Sequence, residues 1–177
     1  MPSDNLFGAD NQQERLFRAG WIVGMTDGEG CFSISIFRNA TTRLGWQVMP
    51  EFVVTQSAKS LSSLQKIQDT FQCGKIFINR RYDNHHEQLY RYCVRNRNDL
   101  EHKIVPFFRK HSLQTAKQND FKRFCQVLQM MKEKQHLSAE GLEKIAQTVG
   151  KKMEKESSET IRGTSKKLLR KNRRMKI

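Results

Sequence analysis

The spacing of apolar residues switches between helical and strand periods along the chain. Apolar positions recur at helical spacing from Gln12 to about Thr26, which predicts a first helix that ends at glycines. The next segment, CFSISIFR at residues 31–38, alternates between apolar and polar positions, as is typical of a half-buried strand. A second strand is predicted over residues 46–56, where Pro50 favours a sheet edge or a bulge.

A second helix and a second pair of strands follow, without an internal sequence repeat. Ser60 begins a predicted helix that Gly74 helps to terminate. Residues 75–81 and 89–96 flank a polar turn and predict a second hairpin.

Helical spacing then resumes in three places, at Asn98 as a predicted cap, from Ala116 and from Ser138. The order α-β-β-α-β-β-α, with extra C-terminal helices, predicts an α+β fold. We expect one four-stranded antiparallel sheet with helices on one face.

The length of the chain limits the number of domains, and its net charge favours one class of binding partner. A chain of 177 residues, of which 37% are hydrophobic, suits a single core, so we expect one domain over residues 1–150 and a basic extension over 151–177. The net charge of +14 favours a polyanion such as nucleic acid, with an acidic membrane surface as a weaker alternative. The extension carries 11 Lys or Arg and three Glu, and a solvated tail and a DNA-contacting helix remain equal alternatives for it.

Other classes of protein fit less well. The sequence contains neither a long apolar span nor a basic-then-apolar leader, so we expect no membrane partner and an intracellular location, in a bacterial cytoplasm or an organelle. The four cysteines lie far apart without a C-x-x-C pair, which favours reduced thiols over a zinc site or disulfides.

One face of the predicted sheet is polar and rich in residues that can bond base edges in a major groove. A polar face turned to water is also ordinary in antiparallel sheets, so the pattern alone leaves both interpretations open. The predicted DNA-binding face consists of Ser33, Ser35, Phe37, Gln47, Glu51, Thr55, Lys75, Phe77, Asn79, Arg81, Arg91 and Arg95.

Three glycines recur at every fourth position of the first helix, Gly20, Gly24 and Gly28. Each costs about 1 kcal/mol relative to Ala inside a helix, so a close helix partner must offset them. That partner lies either within the domain or across a symmetric dimer interface. In a dimer, the carboxylates of Asp27 and Glu29 would lie near the symmetry axis, where like charges need cations such as Mg²⁺.

The stretch IVGMTDGEG, residues 22–30, resembles the nine-residue signature of the LAGLIDADG homing endonucleases. Its position before two strands matches the core of that family, and the resemblance extends over most of residues 15–131. Only one signature occurs, which resembles the branch that acts as homodimers. The resemblance implies dimer contacts through Gly20, Val23 and Gly24, and cleavage of long, nearly palindromic double-stranded DNA sites.

The resemblance also implies roles for individual residues. Glu29 matches the acidic metal ligand, for which Mg²⁺ is the expected ion, and the carbonyl of Gly28 can face the same metal. Gln56 matches a polar residue that positions water. Lys117 is the candidate for the basic residue of the catalytic pocket, and the alternative is that Thr115 or Lys59 stands near the pocket in its place.

The expected activity is therefore metal-dependent hydrolysis of phosphodiester bonds, leaving short 3′ overhangs and promoting intron mobility. The alternatives are an inactive intron-RNA maturase or DNA-binding regulator with the same fold, and a basic RNA-binding domain. Intron RNA is the additional partner that the first alternative implies.

Overall fold

Helix α1, Leu6–Glu29, is longer than the hydrophobic pattern predicts at both ends. In the computed structural model, which describes residues 6–80 and 87–150, the helix continues through Gly24 and Gly28 rather than ending at Thr26. The predicted stop was wrong because Ile22 and Thr26, both fully buried, anchor the last turns and outweigh the low helix propensity of glycine.

The four strands form one sheet in the order β1-β2-β4-β3, with β1 at Gly30–Arg38, β2 at Trp46–Ser57, β3 at Lys75–Asn79 and β4 at Leu89–Val94. Strand β4 pairs antiparallel with β2, from Phe52 opposite Val94 to Ser57 opposite Leu89. It also pairs antiparallel with β3, with Lys75 opposite Cys93. These pairings confirm the predicted α+β fold and the second hairpin.

Pro50 lies in a central strand, so the predicted sheet edge was wrong. Strand β2 has β1 on one side and β4 on the other. Pairing with β4 begins only at Phe52, beyond the proline. The missing N–H of Pro50 therefore costs no hydrogen bond to β4.

Helix α2 lies between β2 and β3 in the chain, and the other helices follow β4. A 3₁₀ turn at Ala58–Ser60 leads into α2, and a second 3₁₀ turn at Gln135–Leu137 precedes α6. A continuous helical segment consists of α3, a π-helical stretch over Leu100–Ile104 and α4. The helix bounds are Leu61–Phe71 for α2, Arg97–Asp99 for α3, Val105–Lys110 for α4, Lys117–Lys132 for α5 and Ala139–Thr148 for α6.

The predicted N-terminal cap of α6 is confirmed, whereas the predicted cap of α3 was wrong by two residues. Ser138 caps α6, and its side chain accepts a hydrogen bond from the Gly141 amide. Asn96, rather than Asn98, caps α3 by accepting from the Asp99 amide. The asparagine whose side chain can reach an N–H three residues later makes the cap.

The described chain divides into two compact units, each with its own buried side chains. The first contains α1, Glu51–Phe121 and β1 as far as Ser33. Its core is aromatic: the Phe32 and Phe52 rings stack with centroids 5.0 Å apart, and Phe108 meets Phe32 edge-on at 5.2 Å. The second contains Ile34–Pro50 and the chain from Lys122, and its buried side chains are aliphatic apart from Phe124.

No helix in the described part of the chain is long and apolar enough to cross a membrane. Two predicted features, Arg81 and the extension at 151–177, lie outside the described residues.

Candidate functional site

Helix α1 passes into strand β1 without a loop, because Gly30 directly follows Glu29. A Cβ atom at Gly30 would lie 2.6 Å from Thr26 Cγ2 and 2.7 Å from the Thr26 carbonyl oxygen. Only glycine fits this close approach. The glycine therefore allows the strand to leave the helix end at once and places Glu29 at the junction.

Glu29 is exposed at this junction, next to the partly free carbonyls of the last helical turn. Gln56 approaches the same helix one turn earlier, where its amide donates to Met25 Sδ at 3.8 Å. The structure thus brings Gln56 to the signature helix, and its role in positioning water stays a prediction.

Asp27, the first carboxylate of the signature, binds the loop before α5. Its carboxylate accepts hydrogen bonds from the Gln114 amide at 2.8 Å, the Thr115 amide at 3.3 Å and the Thr115 hydroxyl at 2.6 Å. Burial opposes ionisation, but these bonds and the charge of Lys117 hold the pKa of Asp27 below its ordinary value. The two carboxylates of the signature therefore have different surroundings.

Lys117 lies at the end of the signature helix. Its ammonium group donates to the Thr26 carbonyl at 3.0 Å and to the Gly28 carbonyl at 3.5 Å. The two alternative candidates are placed differently: Thr115 binds Asp27, and Lys59 pairs with Glu87 at 3.4 Å. The geometry favours Lys117 as the basic residue of the site.

The polar sheet face of the first unit contains an arginine held by a carboxylate. Arg95 Nε donates to Glu51 Oε2 at 2.8 Å, and the Glu51 side chain is only 13% exposed. Burial would raise the pKa of Glu51, but the hydrogen bond and charge of Arg95 hold it below its ordinary value. Glu51, predicted as a DNA contact, is therefore engaged in orienting Arg95.

The strand register aligns further predicted residues on this face. Thr55 and Phe77 both lie opposite Arg91, on β2 and β3 respectively. Lys75 and Asn79 alternate with Phe77 on β3 and so share its face. Ser33 donates to Glu51 at 3.4 Å.

In the second unit, the predicted residues lie around the hairpin of β1 and β2. Gln47 accepts a hydrogen bond from the Asn39 side chain at 2.6 Å, and Phe37 is exposed while Ser35 is half-buried. The Arg38 guanidinium lies 4.5 Å from the centre of the Trp46 ring.

The glycine stripe faces open space. A Cβ atom at Gly20, Gly24 or Gly28 would meet no atom of the described chain within 4 Å, apart from the helix's own nearby backbone. Leu16 and Phe17, which are 58% and 77% exposed, share this side of the helix. Val23, in contrast, is only 8% exposed, so its side chain belongs mainly to the core of its own chain and not to the predicted contact surface.

Sequence reasoning missed the roles of Asp27 and Thr115. The two residues are 88 positions apart, so no local pattern links them. A short polar segment immediately before a helix that carries a candidate catalytic lysine is the one signal that could have directed attention to Thr115.

The site can supply part of a magnesium shell. No group of three or more His, Cys, Asp or Glu side chains within residues 11–80 and 87–150 could hold a metal by itself. Mg²⁺ commonly binds one or two carboxylates together with substrate phosphates and water. The exposed Glu29 carboxylate and the Gly28 carbonyl fit such a partial set.

Several known proteins are similar to this chain. The family model of the LAGLIDADG endonuclease matches residues 22–128. A probable intron-encoded endonuclease 2 of Neurospora crassa is 30% identical over 125 residues, which is 71% of this chain and 25% of that protein. The chain thus spans about a quarter of that relative's length.

Two solved structures resemble the fold closely. The homing endonuclease I-TnaI superimposes with a TM-score of 0.68 at 36% identity, and the match covers 84% of this chain and 96% of that one. The meganuclease I-SmaMI, bound to uncleaveable DNA, superimposes with a TM-score of 0.69 at 26% identity, over 77% of this chain and 45% of that one. Because the family model covers more than half of the chain and includes the signature, the chain belongs to the LAGLIDADG endonuclease family.

Proposed function

We propose that the chain is a site-specific homing endonuclease that cuts double-stranded DNA as a homodimer, with Mg²⁺ as its cofactor. The observation that carries this proposal is the junction of α1 and β1, where an exposed Glu29 lies beside the carbonyls that hold the Lys117 ammonium. An exposed carboxylate and an ammonium group at the same helix end suit a phosphate-bearing substrate that completes the metal shell.

Glu29 and the Gly28 carbonyl would hold the metal. When bound, the ion polarises the scissile phosphate and lowers the pKa of the attacking water. Gln56 orients that water through its amide, and Lys117 stabilises negative charge that develops on the phosphate. Each protomer contributes one such set and cuts one strand, leaving short 3′ overhangs.

The homodimer is supported by the open glycine stripe of α1. Removal of side chains at Gly20 and Gly24 lets two helices approach closely, and the exposed Leu16 and Phe17 extend the same surface. The match covers nearly all of the I-TnaI chain but less than half of the I-SmaMI chain. The described fold thus corresponds to one half of the larger enzyme, and a second copy supplies the other half.

The polar sheet face would read the DNA. Arg91 and Arg95 present guanidinium groups suited to guanine edges, and Glu51 restricts the orientation of Arg95. The net charge of +14 supplies contacts to phosphates. We also propose that Arg81 and the predicted residues of the second unit contact DNA, and that residues 151–177 are a basic extension of the domain. The description of the Neurospora relative as intron-encoded supports a role in intron mobility.

The test is cleavage of sites selected from a randomised DNA pool, with Glu29→Gln compared with Glu14→Gln. Glu14 is an exposed glutamate of the same helix that pairs with Arg18 at the surface, so its variant matches the change in charge. We expect Glu29→Gln to lose Mg²⁺-dependent cutting and to bind the site in Ca²⁺ like the wild type, whereas Glu14→Gln keeps both properties. A wild type that binds but never cuts would indicate a regulator or maturase, and a Glu29→Gln variant that cuts normally would remove Glu29 from the site.

A further inference from the structure

A closed set of hydrogen bonds joins the end of α1 to the start of α5. Residues 111–116 between α4 and α5 have no helix or strand, so their anchors decide where α5 begins. Asp27 supplies three of these anchors, two to backbone amides and one to the Thr115 hydroxyl. The loop is therefore attached to the signature helix through one carboxylate.

Thr115 links Asp27 to the backbone of Lys117. Its hydroxyl donates to Asp27 and accepts from the Lys117 amide at 3.3 Å. The first residue of α5 is thereby held by the same oxygen that Asp27 orients. A hydroxyl that donates and accepts at once has little rotational freedom left.

The Lys117 side chain extends back to α1, the helix that carries Asp27. Its ammonium contacts the carbonyls of Thr26 and Gly28, the residues on either side of Asp27. Both carbonyls belong to the last turn of α1, which leaves carbonyls without helical partners and carries the negative end of the helix dipole. The position of the ammonium is thus fixed at both ends of the side chain.

We propose that Asp27 and Thr115 are positioning residues that set the place of the Lys117 ammonium beside Glu29, and so control the rate of strand cutting rather than DNA affinity. The inference rests on the proposed function.

The test uses a pair of matched substitutions at one oxygen. Thr115→Ser keeps the hydroxyl, and Thr115→Val removes it while preserving the shape. Each is measured by single-turnover cutting in Mg²⁺ at saturating enzyme, by site binding in Ca²⁺ and by thermal melting, in the wild-type background and with Lys117→Met.

We expect Thr115→Val to slow cutting roughly ten- to a hundredfold, the cost of an ångström-scale misplacement. Thr115→Ser should stay within about threefold of wild type, and both should bind the site in Ca²⁺ as wild type does. With Lys117→Met already present, Thr115→Val should cause no further loss. Should Thr115→Val fail to fold, Asp27→Asn enters the same cycle.

Other outcomes overturn the inference. The inference fails if Thr115→Val and Asp27→Asn both cut at the wild-type rate. It also fails if Thr115→Val slows cutting equally in the wild-type and Lys117→Met backgrounds, or if Lys117→Met alone leaves the cutting rate unchanged. In these cases loss of cutting by Glu29→Gln still supports the endonuclease, so the two proposals fail separately. A wild-type protein that cuts no selected site overturns both.

Discussion

Helix α1 buries one side in its own chain and leaves the other side open, although the residues of both sides are interleaved in the same signature sequence. Ile22 and Thr26 have no exposed surface, while Gly20, Gly24 and Gly28 have open space where a side chain would be. The glycines therefore do not serve packing within the described chain. Their cost in helix stability makes sense when a partner helix lies against them.

The most damaging change on the open side is Gly24→Leu. A Cβ atom at this position would meet no described atom within 4 Å beyond the helix's own nearby backbone, so we expect the fold to survive. We expect the dimer dissociation constant to rise by at least about a hundredfold, since each ~1.4 kcal/mol of lost contact is tenfold. Double-strand cutting should disappear with the dimer.

Sedimentation velocity measures this effect, with Arg18→Leu as the control. Arg18 is exposed on α1 but lies away from the glycine stripe, so a leucine there should leave the dimer intact. A Gly24→Leu protein that remains dimeric would show that the open side is not the interface.

A change on the buried side of α1 should lower the stability of the fold and leave dimer formation intact. Ile22→Ala removes a fully buried side chain and should lower the free energy of unfolding by about 2–5 kcal/mol, measured by urea denaturation of each chain under dimer-saturating conditions. The variant molecules that remain folded should still form dimers. A loss below 1 kcal/mol, about the effect of an ordinary surface change, would mean that Ile22 does not anchor the helix.

The sequence predicted more of the fold than of the site. Strand periodicity located all four strands, because alternation is a local property, and the order of helices and strands along the chain agrees with the family resemblance. The helix end was misplaced, since the burial of Thr26 depends on packing by distant residues. For the same reason the Asp27–Thr115 contact was invisible, whereas Glu29 and Lys117 could be proposed from the signature and its resemblance.

Thr26 offers a smaller and favourable change on the buried side. Its hydroxyl is fully buried and has no hydrogen-bond partner within the described chain. Thr26→Val removes that unpaired group at nearly constant shape and keeps the carbonyl that binds Lys117. We expect a gain of about 1 kcal/mol in the free energy of unfolding, by urea denaturation, with unchanged cutting. A loss of stability would show that the hydroxyl has a partner.

The smallest expected effect is the acid response of Asp27. Its pKa is lower in the folded chain than its ordinary value of 3.8, so its contribution to stability is complete above that pH. The contribution is lost as the pH falls through the folded pKa. The stability difference between wild type and Asp27→Asn should therefore be constant near neutral pH and shrink below about pH 4.

Thermal melting from pH 7 to pH 3 measures this difference, with Asp69→Asn on α2 reporting the general effect of removing one negative charge. A difference between wild type and Asp27→Asn that grows on acidification would contradict the assigned hydrogen bonds.

The central claim is that two copies pair through the open side of α1 and that each brings one Glu29 to one DNA strand. It is tested most directly with heterodimers, purified through two tags, that contain one wild-type and one Glu29→Gln protomer. On a supercoiled plasmid with the target site, we predict nicked circles as the stable product, linear DNA from the wild-type pair and no cutting by the doubly substituted pair. Linear DNA from the heterodimer, at half the wild-type rate, would show that a single chain cuts both strands and would contradict the account.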